Sequence, residues 1–185
     1  MTHIDVPQTI CRAGVARRDI TPPVGIYHRM WGAATHEYAE GVHRPFTATA
    51  AVFAPLERDS PTLALVALDI GWFQHVDDER ALRSSVLERT GLDESELLIQ
   101  MSHTHAGANT NSRLEGRPGA ELIAPYLDRL TAEVCDAVAE AQAAATEAFE
   151  LRAQVAEAGA AASPEPGTRR YDAAVYALGK AEIPP

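Results

Sequence analysis

The chain is expected to form an α/β domain: a mixed sheet containing parallel strand-helix-strand units with flanking helices. Three observations predict it. Thr62 to Ile70 is a nearly continuous aliphatic run, the pattern of a strand buried on both faces. Leu97 to Met101 is a second short apolar run, separated from the first by a segment with helical start and stop signals. Beyond Gly119, the residues Leu127, Leu130, Val134, Val138 and Ala141 keep a 3.6-residue stripe, which one side of a helix needs in order to face a core.

Taken in order, Arg12 to Arg17 alternates around Ala13 and Val15 and reads as a first strand, closed by Thr21-Pro22-Pro23. From Gly25 to Pro45 the chain is rich in Gly, His, Tyr and Trp without either period. That reads as a long ordered loop, and loops of this length in compact domains are commonly functional. Phe46 to Ala54 gives a second strand that should pair with the first as a hairpin, and Glu57 to Pro61 is a polar turn. The first helix is expected to be capped by Asp77, to bury Leu82 and Val86, and to stop at Gly91. A strand-helix-strand crossover is right-handed and makes its strands parallel, so Asp69 and the run Ser102-His103-Thr104-His105 should open on one edge of the sheet. Ligand sites of open α/β sheets lie at that edge.

From Ala137 to Ala162 thirteen of twenty-six residues are alanine. The expected organisation is therefore one domain over residues 1–150 and an Ala/Pro-rich divergent tail over 151–185, with Tyr171 to Leu178 as a possible further strand.

Composition narrows the function. Sixteen basic and twenty-six acidic residues give a net charge of −10, which argues against nucleic acid as a partner. A chain of 185 residues with 46% hydrophobic residues should bury roughly 70% of its unfolded surface, so global disorder is excluded. The longest strongly apolar run, Leu63 to Leu68, falls far short of the roughly 18 residues of a membrane span. Met1 to Asp5 has neither a basic nor an apolar signal region, and two cysteines make no disulfide framework. A cytoplasmic location is the expectation.

His103-Thr104-His105 is the sharpest chemical signal. In an extended segment, residues two apart point to the same side, so both imidazoles could approach one ion or one substrate atom. The alternative is that they bond loop carbonyls. Asp69 could orient a ligand or hold a water, or be a solvated strand-end carboxylate. His28, His36, His43 and His75 lie in predicted loops, and Asn109, Thr110 and Asn111 offer hydrogen-bonding groups near the edge. Trp31, Trp72 and Phe73 could wall a groove or pack in the core. Motifs for a serine nucleophile elbow, a phosphate loop, a dinucleotide site and an H-E-x-x-H zinc site are all absent from the sequence. Cys11 and Cys135 read as small core hydrophobes.

Four segments in order resemble the amino-terminal domain of the neutral/alkaline non-lysosomal ceramidase family. They are Ala13-Gly14-Val15-Ala16 with Asp19-Ile20-Thr21-Pro22, then Gly41-Val42-His43, then Leu68-Asp69-Ile70-Gly71, then Ser102 to Gly107, together covering about residues 12–130. The resemblance implies a metal-dependent hydrolase of linear amides, cleaving the N-acyl bond of ceramide-type lipids with zinc as cofactor. It maps a zinc ligand onto His103 and places His105 beside the metal, where it could contact the water or the substrate. From their positions in this sequence, Asp69 is the expected catalytic partner of His105, and His43 and Asn109 are the expected substrate contacts. The chain departs from the family pattern at Ala108-Asn109, where Pro-Gly is usual, and no match to the family's downstream ligands follows. The competing expectation is a truncated or non-catalytic ceramidase-like domain with an incomplete metal site.

Overall fold

The computed structural model describes residues 8–32, 34–57, 60–146 and 148–152; the expected strand Tyr171 to Leu178 lies outside them. Five strands, β1 (Gln8–Asp19), β2 (Thr47–Pro55), β3 (Leu63–Leu68), β4 (Leu97–Met101) and β5 (Ala148–Arg152), form one sheet in the order β4-β3-β2-β1-β5. Two α-helices, α1 (Val76–Thr90) and α2 (Ile123–Ala144), and two short 3-10 turns, Glu94–Glu96 and Ala120–Leu122, complete the regular structure of these residues. The mixed α/β class is as expected.

β3 and β4 are parallel neighbours, with Ala64 opposite Leu97 and Leu68 opposite Met101, and α1 crosses between them. The remaining pairings are antiparallel. β1 and β2 pair from Cys11↔Pro55 to Asp19↔Thr47 across the long 20–46 connection. The tighter hairpin joins β2 to β3.

Both helices cover one face of the sheet. On that face Ala48, Ala50 and Val52 of β2 sit beside Leu68, Val66 and Ala64 of β3, all buried. Leu97 and Ile99 of β4 extend the row. α2 contributes Ile123, Tyr126, Leu130, Val134 and Val138, and α1 contributes Leu82 and Val86. The small side chains of β1 and β2 let α2 settle close. At Gly14 the approach is closest, since a Cβ there would lie 2.1 Å from the Ala141 carbonyl oxygen and 2.6 Å from the Ala145 nitrogen. A neighbouring charge pair, Arg18 with Glu140 at 2.8 Å, fixes α2 along β1.

The opposite face is not covered in the same way. Val15 is 64% exposed, Leu98 54% and Leu63 42%, all on this face by the alternation of their strands. The expectation that β3 is buried on both faces is therefore corrected: its residues alternate between buried and more open positions. An uninterrupted aliphatic run says that a strand is apolar, and the layer count decides how many faces are covered.

The start of α1 differs in detail. His75 is its N-cap, with Nδ1 accepting from the Asp77 amide at 3.2 Å. The first-turn acids are used elsewhere: Asp78 accepts from the Ser112 amide and hydroxyl, and Asp77 pairs with Arg113. These contacts tie the 102–119 loop to α1. Gly91 stops the helix in the left-handed conformation, as expected. No helix of the described residues is long and apolar enough to cross a membrane.

Candidate active site

The carboxyl ends of β3 and β4 open on one edge, which places Asp69 and His103 at the same end of the sheet. The ladder extends one bond past the strands, from the Ser102 amide to the Leu68 carbonyl at 2.9 Å. It breaks at His103, whose φ of 58° is the one positive value among the described non-glycine residues. Such a backbone is costly for an L residue and persists where the surroundings enforce it, commonly at functional positions. The assumption of an extended His-Thr-His segment is thus corrected. The left-handed turn redirects the chain, and the two rings nevertheless stand 5.6 Å apart, centroid to centroid, at 72°.

Two tryptophans hold this pair. Trp31 stacks on His105 with centroids 3.4 Å apart and planes within 11°. Trp72, four residues past the end of β3, lies 5.5 Å from His103 at 27°. The indoles meet edge to face at 4.5 Å, the geometry favoured by their ring quadrupoles. The Trp31 Nε1 is buried and finds no acceptor among the described residues, an arrangement that costs about 1–3 kcal/mol.

The 25–46 loop delivers Trp31. Its arms pair through Gly25 to Ala39 at 2.8 Å, Ala39 to Ile26 at 2.9 Å and His28 to Glu37 at 2.9 Å, each amide donating to a carbonyl. Its base is locked at Gly119, where φ is 79° and a Cβ would fall 2.0 Å from the Gly25 carbonyl oxygen. The same loop, with His105, walls an open cavity of about 410 Å³ lined by His28, His36, Tyr38 and Glu40. A larger cavity of about 590 Å³ lies at the opposite end of β3, between Ile10, Phe53 and Leu63. Its lining is mostly apolar and carries no imidazole.

The remaining expected residues have structural attachments. Asp69 Oδ2 accepts from the Thr47 amide at 3.0 Å and hydroxyl at 2.9 Å, which fastens the end of β3 to the start of β2. Asn109 is buried, its amide donating to the Tyr27 carbonyl and its Oδ1 accepting from the Asn111 amide, both at 3.0 Å. Thr110 is buried and donates to the Trp72 carbonyl at 2.5 Å. His43 is exposed, on the segment beyond Gly41. Cys135 is a core residue whose thiol is pushed up by burial.

His103 and His105 suit zinc by donor type, and their rings stand side by side at the edge. Among the described residues, no group of three or more His, Cys, Asp or Glu is placed to hold a metal ion. The fit is therefore partial.

Fold and site together define an open α/β domain with an imidazole pair at the carboxyl edge of its parallel strands. Two solved structures share this fold: neutral ceramidase from Pseudomonas aeruginosa, at a TM-score of 0.56, and a ceramidase complexed with C2, at 0.55. Each is 22% identical to this chain over 76% of its length. The chain spans 22% of the length of each. No protein-family model and no curated protein sequence matches the chain.

Proposed function

We propose that this chain is a ceramidase-like zinc amidohydrolase domain. It would act on the N-acyl amide of ceramide-type lipids, in which water adds across the C–N bond to give a fatty acid and a sphingoid base. The observation that carries this reading is the His103–His105 pair at the carboxyl edge of a fold shared with ceramidase. His103 would hold the metal, and His105 would stand beside it, able to exchange a proton with the water or the leaving amine. Zinc at such a site supplies Lewis acidity. Asp69 would keep the edge in place through Thr47. His43 and Asn109 would serve the substrate, Asn109 by holding the loop that carries Tyr27. A tight catalytic zinc needs three protein ligands, so the ligand set has to be completed by polypeptide other than the described residues.

The test is hydrolysis of a fluorogenic N-acyl sphingosine in detergent micelles with saturating zinc. The chain alone is expected to turn over far more slowly than a full-length ceramidase. Any activity should vanish on chelation and in His103→Ala. Robust turnover by the chain that survives both treatments would overturn the reading.

The absence of a third ligand among the described residues favours a second reading, a non-catalytic ceramidase-like domain with an incomplete metal site. Zinc content after loading separates the two, because this second reading requires no metal on His103.

A further inference from the structure

We infer that Trp31 is a positioning residue for the imidazole pair, fixing the ring plane of His105 and, through Trp72, the approach of His103. The inference rests on the proposed metal-site reading. It starts from an unusual division of labour. A metal-binding histidine is ordinarily held by a hydrogen bond from its second ring nitrogen to a carboxylate or carbonyl. Among the described residues, the imidazole nitrogen that enters a hydrogen bond is Nδ1 of His75, which caps α1 far along the chain from this pair. Something else must set the orientation of the rings at the edge.

The indoles are placed to do so. Face-to-face contact at 3.4 Å and 11° means that turning the His105 ring about its Cβ–Cγ bond would lose the Trp31 surface. The edge of Trp31 meets His103 at 5.2 Å and 83° while the face of Trp72 meets it at 5.5 Å and 27°. His103, exposed at the edge, thus meets two perpendicular rings on one side, on a backbone already committed to a left-handed turn. Trp31 is itself secured from three sides: by Trp72, by the paired arms of its loop, and by the Ala34 amide donating to its carbonyl at 3.0 Å. Stacking therefore replaces the usual polar support. A consequence follows for observation: Trp31 and Trp72 are the two tryptophans of the chain, so its indole fluorescence reports on this pair alone.

The experiment is proton-carbon NMR of chain labelled at histidine Cε1, comparing wild type, Trp31→Phe and Trp31→Ala, with His75 as an internal control. An imidazole lying flat on an indole is shielded by the ring current. The His105 Cε1–H resonance should stand upfield in wild type, return to the unstacked position in Trp31→Ala, and recover in part in Trp31→Phe. Cobalt(II) titration read by indole quenching and by the metal's visible bands should show affinity falling on the order of 10-fold in Trp31→Ala, with partial rescue by Phe. An unstacked His105 signal in wild type overturns the inference, even if Trp31→Ala does not fold. So does an unchanged His105 signal in a folded Trp31→Ala. Failure of wild type to bind cobalt, with the shielding and its loss intact, would instead sink the metal reading and leave the placement by Trp31 standing.

Discussion

The helix-covered layer and the loop-built edge adjoin at Ile70 and Ser102, yet different forces hold them. In the layer, aliphatic side chains on β2, β3 and β4 meet α1 and α2 with little room for change, and backbone touches backbone at Gly14. At the edge, stability comes from directed contacts: Ser112 on Asp78, Thr110 on Trp72, Thr47 on Asp69. The edge also carries features that stability alone would remove, a left-handed His103 and a buried indole N–H without an acceptor among the described residues. A close-packed layer tolerates such strain in the loops it supports.

If the comparison is right, substitutions in the layer should be far costlier than those at the edge. The largest effect is expected for Gly14→Val, which drives a branched side chain into the Ala141 carbonyl. A loss above about 4 kcal/mol, enough to prevent folding, is the expected outcome by urea denaturation. Leu130→Ala, at a fully buried position on α2, should cost about 2–5 kcal/mol in the same measurement.

Tyr126 marks the seam between the two regions. Its buried hydroxyl donates to the Ile20 carbonyl at 3.0 Å, and burial holds its phenol well above the usual range. Tyr126→Phe should cost about 1–2 kcal/mol. The folded pKa is raised, so the contribution is present below the unfolded value of about 10 and is lost as the pH rises beyond it. Denaturation midpoints followed from neutral pH to pH 11 should therefore fall more steeply for wild type than for Tyr126→Phe.

The smallest effect, with the opposite sign, is expected for His103→Gly. Glycine accepts a φ of 58° without the steric penalty, so stability should hold or rise by about 0.5–1 kcal/mol while metal binding is lost. A loss comparable to that of Leu130→Ala would erase the distinction between layer and edge.

The layer was the more legible part of the sequence. The runs at Leu63 and Leu97 and the stripe from Leu127 to Ala141 each have one simple reading, and the parallel pairing of β3 with β4 follows from the crossover rule. β5 escaped notice because Ala148–Arg152 lies inside an alanine-rich stretch whose propensity favours helix, and pairing with β1 overrides that preference. It also runs across the expected boundary at residue 150. At the edge, chain order alone was enough to place Asp69 and His103 at the same end of the sheet. The ring arrangement was not readable, because it depends on one positive φ and on Trp31 arriving from a loop more than seventy residues earlier in the chain. The cavity shared by His28, His36 and His105 was hidden for the same reason: it exists only once the arms of that loop pair, as in the Tyr27↔Tyr38 bridge.

In the proposed reading His103 is a metal ligand on an otherwise sound scaffold. Elemental analysis of zinc-loaded, desalted wild type and His103→Gly tests it most directly, with circular dichroism as the control for folding. The account predicts zinc retained by wild type, in less than one equivalent because the ligand set is short, and background levels in an equally folded variant. Equal zinc in the two proteins, or none in wild type after loading, would contradict it.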